Sequence, residues 1–429
     1  MSLAAPVHRR ARLIERLKRV ALHLAFVIVS TPVCASPVVE LRFWTMQLSP
    51  FHDEFVRGVI RDFEAGHANI RVKWVDVPWS DMEKKVLTSI AAGTAPDLVN
   101  LNPQFATRLA EFGALADPER FLSTAERERY LPAAWSANRM DGKTFALPWY
   151  LTTNIVLYNT RIFASAGQRV PTTSGELVAV ARALKTGGGP YAYFPALDGS
   201  AALEALVGAG AALLDARHCA PGFVNASGEA VLDTYRRLYQ DRLIPRNVLT
   251  DGHRKSVEMF LAGQVAMITT GTQFLDTVRN GNPALYATLE VAPAWRAPDV
   301  PPNIAAMNVA VLTASRHQAA AFRFAVFLTN AENQLRLARR VPVLPSAKAS
   351  YDDAFFTTPS GDALKDRARA LAVTQVKEGA VLVPPVRHYN KLKQSYARNL
   401  QAVMLGRQDV KTGLAKIDHE WRAALGCGA

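Results

Sequence analysis

From Val38 onward the chain alternates strand-like and helix-like segments, and this order constrains the fold more than any other feature of its 429 residues. "VVELRFWT" (38–45) reads as a strand of mixed burial. "DEFVRGVIRDFEAG" (53–66) then places Phe55, Val59, Ile60 and Phe63 on one helical face. "IRVKWVDV" (70–77) alternates like a strand. "SDMEKKVLTSIAAG" (80–93) has Ser80 and Glu83 at capping-box spacing and Gly93 at its stop. "DLVNLN" (97–102) is a third strand, followed by a helix over 104–113. Such a βαβαβα order predicts an α/β protein with a mostly parallel sheet covered by helices. A second alternating set starts near residue 150 with "NIVLYN". It continues through "TSGELVAVARALK" (173–185, Thr173 to Glu176 again at capping spacing), "VAMITT" (265–270) and "MNVAVLTAS" (307–315) to a largely helical 361–425. A chain this long exceeds one compact core, so two lobes are expected.

The N-terminus is set apart. Residues 1–35 hold six basic groups against one acid, Glu15, and removing them from the formal charge of +13 leaves +8. A basic stretch ending at Arg19 precedes "VALHLAFVIV" (20–29), which is too short to span a bilayer. Val33 and Ala35 then supply the small residues of a cleavage site before Ser36. A secretory signal peptide over 1–35, with a periplasmic mature protein, is the expectation. Arg9-Arg10 leaves the twin-arginine route open beside the general one. In an oxidising compartment Cys219 and Cys427 either pair or stand as separate thiols. The residual positive charge is interspersed with acids and lacks an aromatic-basic groove pattern, which argues against a nucleic-acid partner.

Catalytic chemistry finds no foothold. G-x-S-x-G, H-E-x-x-H, G-x-x-x-x-G-K-[ST] and C-x-x-C are all missing, and none of the nine histidines pairs with another at i+3 or i+4. Asp76, Asp81, Glu83 and Glu204 are carboxylates that a glycosidase would need in facing pairs, but nothing in the sequence pairs them. The ends of the strands stand out instead. Trp44 with "TMQLSP", Trp79 in "DVPWSD", Asn100 and Asn102, and Trp149-Tyr150 in "FALPWYLTTNIVLYN" all lie there. "TTGTQF" (269–274) follows a buried strand, and Trp295 sits in a Pro-rich loop. Ligands of open α/β sheets bind beyond the carboxyl ends of the strands. Aromatic rings for the C–H face of a sugar, with amides and hydroxyls for its oxygens, suit a neutral polyol.

Seven blocks, in order, make the sequence resemble the extracellular sugar-binding proteins of ABC importers, the maltose-binding-protein-like family. They are "ELRFWT", "VIRDFEAGHANIRVKWVDVPW", "KKVLTSIAAGTAPDLVNLN", "GKTFALPWYLTTNIVLYNT", "MFLAGQVAMITTGT", "AAFRFAVFLTNAENQ" and "VPVLPS". The resemblance implies the two-lobed periplasmic-binding-protein fold, divided as 36–148 plus 309–342 and 149–308 plus 343–429. Crossing segments are then expected near 147–151, 307–312 and 341–345. It implies a monomer with neither catalysis nor cofactor nor metal, which binds a carbohydrate between its lobes. The loaded protein would deliver it to an inner-membrane permease driven by a separate ATPase. Carried over by position, the ligand contacts fall on Trp44, Gln47, Asn102, Gln104, Trp149, Tyr150, Thr152, Thr153, Gly271 and Gln273, with Trp295 and Asn308 as weaker transfers; Trp79 joins them as a ligand candidate from its place after the second strand. "IAAMN" replaces the glycine pair of many relatives before Asn308. Arg387 reaches either the ligand or an acid on the opposite lobe. A polyamine, a sugar phosphate or glycerol phosphate is the alternative ligand, and a secreted carbohydrate-active enzyme the alternative class.

Overall fold

A computed structural model describes residues 37–197 and 201–426. The expected signal peptide, its cleavage point, Cys34 and Cys427 lie outside the described residues. Cys219 is disulfide-bonded. Among the described residues no helix is long and apolar enough to cross a membrane.

The strands are β1 (Val39–Met46), β2 (Ile70–Val77), β3 (Leu98–Leu101), the short pair β4 (Arg139–Met140) and β5 (Lys143–Thr144), β6 (Leu147–Thr153), β7 (Ile155–Asn159), β8 (Met267–Thr270), β9 (Leu289–Pro293), β10 (Ile304–Val311) and β11 (Leu344–Pro345). Helices of at least seven residues are α1 (Asp53–Gly66), α2 (Met82–Ala91), α3 (Pro103–Glu111), α4 (Ser174–Thr186), α5 (Ala202–Gly208), α6 (Ala226–Gln240), α7 (His253–Leu261), α8 (Phe274–Gly281), α9 (Gln318–Leu328), α10 (Ala331–Ala338), α11 (Ala363–Glu378), α12 (Tyr389–Met404) and α13 (Val410–Leu425).

One six-stranded sheet runs β11-β6-β10-β3-β1-β2, and a three-stranded sheet runs β8-β7-β9. Each has its own apolar core. Phe43 on β1, Phe63 on α1 and Phe324 on α9 meet edge to face, with centroids 5.4 and 5.0 Å apart, in the first. Phe223 packs edge-on against Trp421 of α13 at 5.2 Å in the second, and the Trp421 indole donates to Leu392 O at 3.1 Å. The expected α/β, two-lobed class therefore holds, but the expectation of mostly parallel sheets needs correction. Only β1 with β2 and β1 with β3 are parallel. β10 is antiparallel to β3 and β6, β11 is antiparallel to β6, and every pairing in the second sheet is antiparallel. The reason is the crossing itself: β6 carries the chain out of the first lobe and its neighbour β10 brings it back.

The crossings are also displaced from their expected places. β6 stays in the six-stranded sheet to Thr153, and β7 begins in the other sheet at Ile155, so Asn154 is the first crossing point rather than Pro148. Pro148 lies inside a strand paired on both sides. It is tolerated at a bulge, because Met307 faces Tyr150 while Asn308 faces Pro148, which leaves Trp149 as the extra residue. The Pro148 carbonyl accepts from Ser346 Oγ at 2.6 Å. The return crossing is 294–303, earlier than the expected 307–312, and β11 at the expected third crossing still belongs to the first sheet. Three segments are stitched together there. Thr153 Oγ1 donates to Asn303 O (2.8 Å), Gln375 Nε2 donates to Thr153 Oγ1 and Asn154 O (both 3.0 Å), and Ile304 N donates to Ala380 O (3.0 Å).

Thr173 does cap α4, accepting from Glu176 N. Ser80 does not cap: α2 starts at Met82 without a side-chain cap, and Glu83 instead pairs with Arg108.

Candidate functional site

Because β1, β2 and β3 are parallel, their carboxyl ends share one edge of the first sheet, and the loops leaving that edge build one wall of a cleft. The loop after β1 turns sharply at Gln47, which adopts φ 51°, and Gln47 N donates to Val77 O at 3.0 Å. Asp76 holds this turn: it accepts from Thr45 Oγ1 (2.6 Å), Leu48 N (2.9 Å) and Ser49 N (3.2 Å). With these three bonds Asp76 positions the wall. After β3, Asn102 Oδ1 accepts from Phe105 N at 2.8 Å and caps α3, which sets Gln104 in the first turn, two residues further on.

Two recesses join this wall to the second lobe. Met46, Gln47, Leu48, Trp79, Ser80 and Tyr150 line the first together with Arg254 of α7. Trp79 is 44% exposed. In the second, Pro103, Gln104 and Thr107 of α3 face Glu204 of α5 and Tyr389 of α12, over a floor of Asn303–Ala305. Tyr389 and Gln104 line this recess together, and burial holds the Tyr389 pKa above the usual phenol value. A deeper cavity of about 200 Å³ continues into the second lobe. Trp295 and Tyr193 meet edge to face there at 4.8 Å. Asn154, Asn303, Gln375, Ser256 and Thr269 add amides and hydroxyls, and Glu204 lines this cavity as well. Burial pushes the Glu204 carboxyl pKa up and the His253 imidazole pKa down.

The residues expected to contact ligand divide sharply. Gln47, Trp79, Tyr150, Gln104 and Trp295 line these recesses. Trp44 does not: it is 8% exposed within the first lobe's core, with Lys85 Nζ 5.0 Å over its ring. Trp149 is fully buried in that core. Asn102 is spent on the cap, and Thr153 on the crossing. Thr152 is half-buried on β6. Asn308 is 1% exposed, with its carbonyl accepting from Asn100 Nδ2 at 3.2 Å. Gly271 is buried beneath the Gln273 carboxamide, which a Cβ at Gly271 would strike at 2.1 Å; neither lines the recesses. Arg387 reaches an acid of the opposite lobe, Asp141, at 2.6 Å. Beside it, Glu111 Oε1 lies 3.0 Å from His388 Nδ1 and 3.3 Å from its backbone N. These exposed pairs clasp one rim of the cleft.

Tyr193, Arg254, Asn303 and Tyr389 were not singled out by sequence, and Glu204 only as an unpaired acid. "PYAYFPAL" after a glycine-rich loop was the one local signal, for Tyr193. Glu204 sits in the first turn of α5, where an acid ordinarily serves the helix dipole.

The model of the family described as bacterial extracellular solute-binding protein matches residues 58–362. A crystal structure of a periplasmic-binding protein from Synechococcus sp. MITs9220, solved in complex with zinc, is 32% identical. It superimposes with a TM-score of 0.83 over 90% of this chain and 99% of that one. The sugar-binding protein MalE from Xanthomonas citri shares the fold at a TM-score of 0.75 and 22% identity, over 90% and 98% of the two chains. The diacetylchitobiose binding protein DasA of Streptomyces coelicolor is 25% identical over 323 residues, 72% of this chain and 73% of that one. The chain belongs to the bacterial extracellular solute-binding protein family.

Proposed function

We propose that the protein is a monomeric periplasmic receptor that captures a carbohydrate between its lobes and presents it to the membrane permease of an ABC importer. The observation that carries this reading is the composition of the recesses. Exposed or half-buried rings (Trp79, Tyr150, Trp295) stand among amides and hydroxyls from both lobes. A ligand touching both walls favours the closed arrangement by its differential affinity for it, and the chain turns about Asn154, 294–303 and the segment after Pro345. The ligand named for DasA and the sugar named for MalE support the same class. An enzyme reading has less to stand on. Among the residues lining the three recesses Glu204 is the single carboxylate, whereas glycoside hydrolysis needs two. A polyamine likewise needs several acids.

A thermal-shift screen of the mature protein tests this, using maltose, cellobiose, trehalose, N,N′-diacetylchitobiose, polyols and spermidine. A ligand at about 100 times its Kd stabilises by about 2.7 kcal/mol, a shift of several degrees. The expected result is a shift with at least one saccharide. A shift confined to spermidine would overturn the reading.

A further inference from the structure

A separate cavity of about 430 Å³ is lined wholly by residues of the second lobe. Leu177 of α4, Val231 of α6 and Pro298 give it an apolar floor, and Ser227 and Thr234 add hydroxyls. Arg237 of α6 and Arg296 add two guanidinium groups, and no acid lines it. Both arginines are anchored through Nε alone. Arg237 Nε lies 2.9 Å from Asp233 Oδ2, but the other oxygen of Asp233 serves Arg236 at 2.5 Å, so one carboxylate is shared by two cations. Arg296 Nε donates to Val300 O at 2.8 Å. Neither pair of terminal amino groups hydrogen-bonds a described residue. The nearby acids are turned elsewhere. Glu176 accepts from Thr172 N and Oγ1 at 2.7 and 2.9 Å, and Asp299 is exposed outside the lining. An apolar floor beside uncommitted guanidinium donors suits a molecule with an apolar body and one anionic group. Arginine gives a carboxylate or phosphate bidentate, charge-assisted hydrogen bonds, stronger than those a neutral hydroxyl accepts. Such bonds are worth roughly 10–100-fold in affinity.

This cavity shares a wall with the deeper one: Ala205, Tyr235 and Arg296 line both. Arg296 and Ala297 also belong to the return crossing, where Arg296 N donates to Thr172 O at 3.0 Å and Ala297 N to Gly208 O at 2.8 Å. An anion that draws the Arg296 guanidinium toward one cavity withdraws it from the other. We propose that the cavity is a second binding site, for a small organic anion with an apolar body, and that filling it weakens saccharide capture through Arg296. The site stands independently of the carbohydrate reading above, and the coupling rests on it. Coupling between two sites commonly amounts to about 5–150-fold in affinity and is reciprocal.

Titration calorimetry on the mature protein tests this with matched pairs: benzoate beside benzyl alcohol, and phenyl phosphate beside phenol. At least one anion should bind tenfold or more tightly than its neutral partner. Arg237 lines this cavity and none of the three recesses, so Arg237→Gln should weaken that anion at least tenfold. Failure of both anions to bind would overturn the site, and so would neutral partners that bind equally well or unchanged binding by the variant. Should the variant not fold, the wild-type pairs still decide. The saccharide found in the thermal-shift screen is then titrated at rising concentrations of the anion. Its affinity should fall at least fivefold and level off as the anion saturates. Unchanged affinity would overturn the coupling, and so would a fall that continues past saturation, which marks direct competition. A screen that finds no saccharide would overturn the carbohydrate reading and the coupling with it, while the anion titrations still decide the site.

Discussion

Trp149→Ala should destabilise the first lobe by about 3–5 kcal/mol, the usual cost of emptying a buried indole site. The melting temperature should fall on the order of 10 °C. The side chain is 0% exposed and packs within the core that holds Leu147, Phe43 and Phe324. Its backbone is equally committed, since Ser346 Oγ donates to the Trp149 carbonyl at 3.1 Å and Gln334 Nε2 donates to Ser346 Oγ at 3.0 Å. The indole N–H is buried without a partner, so Trp149→Phe should be far milder: it keeps most of the volume and removes an unsatisfied donor. Denaturation of the three proteins, followed by circular dichroism, checks the order. An alanine variant as stable as the wild type would mean that this ring is not core.

Trp79→Ala should do the opposite. Its ring is 44% exposed at the end of the loop after β2, and its backbone N–H reaches Gln47 Oε1 at 3.4 Å. Removing an exposed side chain should change stability by no more than about 0.5 kcal/mol. Loss of a stacking face at a binding site should cost roughly 10–100-fold in affinity for the saccharide found in the screen. Calorimetry on wild type and variant measures it. Unchanged affinity would remove Trp79 from the site.

These two tryptophans look alike in the sequence: each follows a proline near a strand end. What separates them is long-range. Trp149 is the extra residue of a bulge defined by where β10 lands against β6, more than 150 residues downstream in the chain. No local pattern encodes that. Beyond the bulge, strand alternation was legible: Leu151 and Thr153 are buried while Tyr150 and Thr152 are only half-buried. The helices and strands themselves were visible in their periodicities, and so was the pair of lobes. Strand direction in the second lobe was not, because alternation along a chain does not say which strands will be neighbours. At the site, the strand-end rule reached Gln47, Trp79 and Gln104, all on the edge made by three parallel strands. It also swept in Asn102, whose side chain is a cap. Tyr389 escaped notice and Glu204 was read only as an unpaired acid, because both sit in helical first turns and face Gln104 only through the long-range fold.

Hydrogen exchange of the mature protein, with and without the saccharide found in the screen, addresses the central claim most directly. Capture between the lobes predicts slowed exchange on both walls at once. It should appear in the 46–48, 79–80 and 103–107 segments of the first lobe and around Glu204, Asn303 and 381–389 facing them. Protection confined to one lobe, or found only outside the cleft, would contradict it.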